Sequence, residues 1–258
     1  MKKYNIFRNI AIGALVVSSL SSCEDYLSLS NPNKTTVETF WTDLKDTNAG
    51  LYATYASLRN DYVLNIREEA WRSDLCWPGY GRPQPQNNAE GWNWYCQNYT
   101  NSTVAISSKW DALYTGIWRA NQVIEALERI KDTISADEIE TWNIQMGHAR
   151  FIRGLMYFYL HSSFNNGSVV LRTSTAQSFN LPLSPAEDVL KFFREDLEAA
   201  YDLLPMPQDV TSDYEGLATK GTAATIQGIS YLYEKEYSEA EKKFKDVIDN
   251  YGYQLEQD

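Results

Sequence analysis

Two histidines and three cysteines are all that this 258-residue chain offers in soft metal-ligating side chains. They are too few for the usual zinc or iron–sulfur ligand sets. Basic residues are outnumbered 23 to 34, giving a formal charge of −11. That balance supplies no basic footprint for nucleic acid. No GxSxG elbow, HExxH helix or phosphate-cradling loop is present, so the sequence calls for no catalytic residue, metal or cofactor. The longest apolar stretch, Ile10 to Leu20, falls well short of the ~20 residues a membrane-spanning helix requires. What is abundant is aromatic: 18 Tyr, 8 Trp and 9 Phe within a 43% hydrophobic composition. That content can bury a core, and Tyr and Trp add the polar handles that binding surfaces favour.

The first thirty residues have an order of their own. Lys2, Lys3 and Arg8 precede the apolar run, and Leu20-Ser21-Ser22-Cys23 closes it. This is a secretory leader whose end resembles the bacterial lipoprotein signal. The reading makes 1–22 a signal peptide, Cys23 the lipidated N-terminus, and 23–36 a tether with a turn at Asn31-Pro32-Asn33. Cleavage removes three basic residues and no acidic ones, so the mature charge is −14. Glu24 and Asp25 then resemble a surface-export signal of Bacteroidota lipoproteins. Cys76 and Cys96 remain as an even pair in an exported chain. They are either a bridge closing 21 residues, worth roughly 3 kcal/mol, or two free thiols.

Residues 37–258 read as all-α. Helical periodicity predicts helices over about 43–60, 108–131, 135–163, 184–204, 218–234 and 238–250. Capping boxes are expected at Ser135–Glu138, Ser184–Glu187 and Ser238–Glu241. The stretch from Ala149 to Leu160 is apolar nearly all round, which marks the most buried helix. Val169-Val170-Leu171 fits a short strand or an extended connector. Gly228, Tyr231, Ala240 and Phe244 occupy the positions that a tetratricopeptide unit gives to close packing and aromatic filling. Gly154 with Tyr157, and Trp110 with Leu113, echo the pattern more loosely. Asn121 falls on an apolar stripe, where a buried amide needs partners and suits tying down a neighbouring loop. Arg150 and Arg153 flank buried positions and call for helix carboxylates or loop carbonyls. His148 and His161 are read as packed side chains.

The 62–106 loop is different in kind. Its 45 residues hold four of the eight tryptophans: Trp71, Trp77, Trp92 and Trp94. A loop beyond ~12–15 residues implies function or disorder, and this composition disfavours disorder. Tyr80, Arg82, Asn98 and further amides accompany the rings. Aromatic faces suit the C–H faces of a pyranose, and amide, guanidinium and carboxylate groups suit its hydroxyls. Trp77, Tyr80, Arg82, Trp92, Trp94 and Asn98 are the candidate ligand-binding residues. In an extended segment Trp92 and Trp94 would share one face, either core or platform.

Together these stretches resemble the SusD/RagB family of outer-membrane nutrient-binding lipoproteins. The resemblance rests on Cys23-Glu-Asp-Tyr-Leu, Asn31-Pro-Asn with Phe40-Trp41, and Trp110-Asp-Ala-Leu-Tyr-Thr-Gly-Ile-Trp-Arg-Ala-Asn121. It rests also on Ala149 through Leu160, Asp196-Leu-Glu-Ala-Ala200 and Ala218 through Ala224. It implies tetratricopeptide-like helical hairpins (an α-α superhelix) with long irregular loops. It further implies a lipid-anchored protein of the cell outer membrane, facing the exterior, that binds oligo- or polysaccharide without catalysis. A SusC-like TonB-dependent transporter is the implied partner. Family members run to about twice this length, so an N-terminal fragment, with the C-terminal part missing, is the expectation. The 164–183 connector departs from the family pattern. Two other readings use the same residues: a tetratricopeptide-like scaffold lipoprotein that binds only protein, and a glycoside hydrolase, for which no carboxylate pair stands out.

Overall fold

The computed structural model describes residues 40–64, 66–73, 75–78, 89–178 and 180–254. The leader, Cys23 and the tether therefore lie outside the described residues, as do Tyr80 and Arg82. Eight α-helices carry the described fold: α1 (Leu44–Tyr55), α2 (Ile66–Arg72), α3 (Ala89–Tyr95), α4 (Val104–Ile130), α5 (Ile139–Ser163), α6 (Ala186–Leu203), α7 (Lys220–Tyr233) and α8 (Tyr237–Asn250). Among the described residues there is no strand, so the fold is all-α.

Helices adjacent in sequence pack together: α4 on α5, α5 on α6, α6 on α7 and α7 on α8, with α1 laid across α4 and α5. That stacking of hairpins is the tetratricopeptide-like arrangement. Each helix supplies an apolar stripe. In α4 the stripe is Leu113, Ile117, Ala120, Val123, Ile124 and Leu127, all buried. In α6 it is Val189, Phe193, Leu197 and Ala200. The α5 helix lies between them and is buried almost continuously from Gln145 to Phe158, as its all-round apolar pattern requires. A fully buried Leu, Ile or Phe stabilises by about 1.5–3 kcal/mol, so this central seam carries the fold.

Close helix approach depends on small residues at the crossings. A Cβ on Gly228 would meet the Phe244 ring at 2.6 Å, and one on Gly154 would meet Leu197 at 3.1 Å. The positions singled out from the repeat pattern are thus places where a side chain of the neighbouring helix packs directly on the backbone. The turn between α7 and α8 is closed by Lys235 in the left-handed region.

Helix starts were less legible. At α5, Glu138 accepts from the Ser135 backbone N–H at 2.9 Å and from its hydroxyl at 2.6 Å. A 3₁₀ turn over Ala136–Glu138 precedes the helix proper. The expected box at Ser184 is not formed: α6 starts after Pro185, and the Ser184 backbone N–H donates to the Val169 carbonyl at 2.8 Å. Tertiary pairing has taken the backbone N–H that the Glu187 side chain would have reached in a capping box. Ser238 lies inside α8, which begins at Tyr237. Two caps went unread: Asp43, whose Oδ1 accepts from the Lys45 and Asp46 N–H groups, and Thr219 at α7.

Segment 169–171 is an extended connector, with Val169 fully buried. The largest departure is in 62–106, where α2 and α3 replace part of the expected irregular loop. Each spans seven residues, too short for periodicity to show in sequence.

Candidate functional site

The connector after α5 is held by side chains. Asn121 Nδ2 donates to the Arg172 carbonyl at 2.9 Å, and its Oδ1 accepts from Arg153 at 2.8 Å. Arg153 also grips Asp196 through two bonds of 2.6 and 2.8 Å, and Arg150 adds a third at 3.1 Å. Arg153 is 5% exposed and Asp196 1%. Burial opposes the Arg153 charge, yet the hydrogen bond and negative charge of Asp196 more than offset it, and the guanidinium pKa is raised. Tyr157 and Tyr114 complete the clamp. The Tyr157 hydroxyl accepts from the Arg172 N–H at 2.6 Å, and that of Tyr114 donates to the Val170 carbonyl at 2.8 Å. Burial raises the pKa of both phenols. Every polar group of this cluster is spent on another, which suits anchoring rather than proton transfer. The expected partners of Asn121, Arg150 and Arg153 are these.

His148 is fully buried in α5. Its Nδ1 lies 2.7 Å from the Tyr55 hydroxyl, within hydrogen-bond distance, and that hydroxyl also accepts from the Ala218 N–H. Desolvation pulls the imidazole pKa down to about 3. His161 sits elsewhere, 3.9 Å from Glu234. Among the described residues no cluster of His, Cys, Asp or Glu could hold a metal ion.

The aromatic loop divides into two groups. Trp77 meets Trp92 edge-on at 5.6 Å and Tyr95 at 4.9 Å, and Trp92 stacks on Tyr95 at 5.9 Å. These rings chiefly serve each other. Trp94 is 5% exposed and packs on Tyr99 at 4.4 Å, with the Arg72 guanidinium 5.8 Å from that ring. Trp92 and Trp94 do not share a face. They sit on α3, where two residues turn by about 200°, so one ring joins Trp77 and the other turns inward. The Trp94 indole N–H is buried without a partner. Asn98 is exposed, and its backbone N–H donates to the Asn93 carbonyl. Cys76 and Cys96 are free thiols in the structure, the first half-buried and the second exposed. The bridge weighed from sequence is not formed there: ring packing joins the two segments, and Cys96 lies just past the α3 end.

Two clefts open beside this loop. One, of about 210 Å³, is lined by Trp94, Tyr99, Asn101, Ile106, Phe164 and Asn165. The other, of about 630 Å³, is lined by Val63, Leu64, Phe158, Tyr159, Ser162 and Tyr233. Both also take in Glu69, Arg72 and Lys109. Glu69 lies 3.6 Å from Arg72 and 3.8 Å from Lys109. The result is aromatic walls around a small cluster of donors and acceptors. Sequence reasoning reached the rings but missed Arg72, Lys109, Tyr159 and Tyr233, because tertiary packing alone brings α2, α4, α5 and α7 together. Tyr99 carried a signal, being one more ring in the same loop.

Stacked helical hairpins with aromatic-walled clefts beside the 62–106 segment define a helical-repeat scaffold. The chain belongs to the SusD-like family: the family model described as starch-binding, associating with outer membrane, matches residues 25–249. A SusD-like protein of Formosa agariphila is 28% identical over 96% of this chain and 46% of its own length. A SusD homologue from Bacteroides thetaiotaomicron has a similar structure, with TM-score 0.73 and 23% identity over 88% of this chain and 45% of that one. A laminarin-binding SusD-like protein has TM-score 0.69 and 22% identity, over 83% and 47%. The chain thus spans about half the length of the relatives it matches. Among the described residues no helix is long and apolar enough to cross a membrane.

Proposed function

We propose that this chain binds oligo- or polysaccharide at the outer surface of the outer membrane, held there by lipid on Cys23, and passes it to a SusC-like TonB-dependent transporter. The role is binding without bond cleavage. The observation that carries the reading is the pair of aromatic-walled clefts around Glu69, Arg72 and Lys109 on a SusD-like scaffold. Tyr99 and Tyr233 offer faces to sugar rings, and the charged trio offers donors and acceptors to hydroxyls. Trp94 backs the Tyr99 ring, while Trp77 and Trp92 belong to the neighbouring ring group and Asn98 lies exposed on the segment between Trp94 and Tyr99.

Affinity electrophoresis of the full chain in gels containing starch, laminarin or xyloglucan tests this. At least one polysaccharide should retard the chain, and Tyr99→Ala should weaken retardation by about three- to tenfold, the worth of one stacked ring. A folded chain that none of the three retards overturns the reading. Retained binding of a protein partner without any glycan binding would favour the scaffold alternative.

A further inference from the structure

A third groove runs along the outer side of α4. It holds about 730 Å³ and is lined by Trp110, Asp111, Tyr114, Thr115, Trp118, Val170 and Arg172. Trp110, Tyr114 and Trp118 recur every four residues, so they form a row with steps of about 6 Å along the helix, comparable to one hexose unit. Trp118 is 51% exposed, which is unusual for the residue type with the most apolar area to hide. Trp110 and Tyr114 pack at the edge of the core, whereas Trp118 lies off the buried stripe of α4 and is not among the rings packed on the core. Asp111 and Thr115 lie on the same turns, and Arg172 comes from the clamped connector.

The row also continues the clefts described above. Trp110 meets Phe164 edge-on at 5.1 Å and Tyr114 at 4.8 Å, and Phe164 lines the smaller cleft beside Trp94 and Tyr99. Rings therefore run from that cleft through Phe164 and Trp110 to Tyr114, and Trp118 lines the same groove one turn further on.

We infer that the Trp110–Tyr114–Trp118 groove is a second carbohydrate subsite, which takes a polysaccharide strand extending beyond the loop clefts. Trp118 supplies the outer stacking face, and Asp111, Thr115 and Arg172 flank it with acceptors and donors for hydroxyls. The inference rests on the glycan-binding reading above and adds a dependence on chain length. The groove's polar flanks favour a sugar strand over an apolar helix, which would leave Asp111 and Arg172 to be desolvated.

Calorimetric titration of the full chain tests it, with laminarin, xyloglucan and amylose, each as polymer and as its trisaccharide-sized oligomer. The polymer that binds should bind more tightly than its own short oligomer. Trp118→Ala should weaken that polymer by about three- to tenfold and leave the oligomer unchanged, while Trp118→Phe keeps part of the gain. Equal affinity for polymer and oligomer, or a polymer affinity untouched by Trp118→Ala, overturns the subsite and leaves the glycan reading standing. So does equal weakening of both ligands. Failure of every polymer and oligomer to bind the unaltered chain overturns both.

Discussion

Removing the Asp196 carboxylate should cost this protein more than any surface charge could. Asp196→Ala strips Arg153 of both its short bonds and strands a guanidinium whose side chain is 6% exposed. What remains for it is one bond to Asn121 and the Phe192 ring, 5.0 Å away. Breaking a buried pair from one side costs about 3–5 kcal/mol, because the other charge stays desolvated. Arg150 adds little to that, since its side chain is 30% exposed and can return to water. With a urea m-value of about 2–3 kcal/mol/M, the midpoint should fall by roughly 1–2 M. Arg153→Met/Asp196→Leu removes both charges and should recover most of the loss. Hydrogen exchange gives a second readout: the Arg172 amide, which donates to Tyr157, should lose protection in Asp196→Ala. A loss below about 1 kcal/mol, or a double variant less stable than the single one, would refute the argument that desolvated charge sets the cost.

His148 makes stability depend on pH. Its imidazole stays neutral in the folded state down to about 3, whereas the unfolded chain takes up the proton near 6.5. Between these values the unfolded state binds more protons, so stability is fully present above about pH 6.5 and falls with pH. The loss should reach about 2–3 kcal/mol at pH 4.5, and urea titrations of His148→Gln should show a flatter profile; identical slopes would sink the assignment. Gly228→Ala forces a methyl to within 2.6 Å of Phe244 and should destabilise by about 1–3 kcal/mol. A calorimetric melting temperature lowered by several degrees would bear this out, and an unchanged one would mean the ring yields freely. Lys109→Met should lower glycan affinity while leaving the melting temperature close to that of the unaltered chain, because methionine keeps the packed stem and the lost partner Glu69 is well exposed.

Much of this architecture was legible because helices of fourteen residues or more write their buried face into the chain. The stripes of α4 and α6 could be read from spacing, and so could the demands of Asn121 and Arg153 for partners. Gly228 with Phe244 showed a helix crossing before any coordinate did. The short helices were not legible, since under two turns of α3 cannot separate a period of 3.6 from one of 2. Trp92 and Trp94 were consequently placed together when they point apart. Ser184 shows a different limit: its local cap signal lost to a hydrogen bond with Val169, made across fifteen residues of connector. Glu69 and Arg72 are three residues apart on α2, but Lys109 joins them from α4, and that meeting has no local signature because it forms only once the elements have packed.

The clamp on the connector grips main-chain atoms. Asn121, Tyr157 and Tyr114 bind the carbonyls of 170 and 172 and the amide of 172, and none of these bonds reads a side chain. Substitutions at Val170 or Arg172 would therefore alter the wall of the α4 groove without loosening its hold. A binding surface supported in this way can diverge toward new ligands while its foundation stays fixed, which separates the evolution of specificity from the upkeep of the fold.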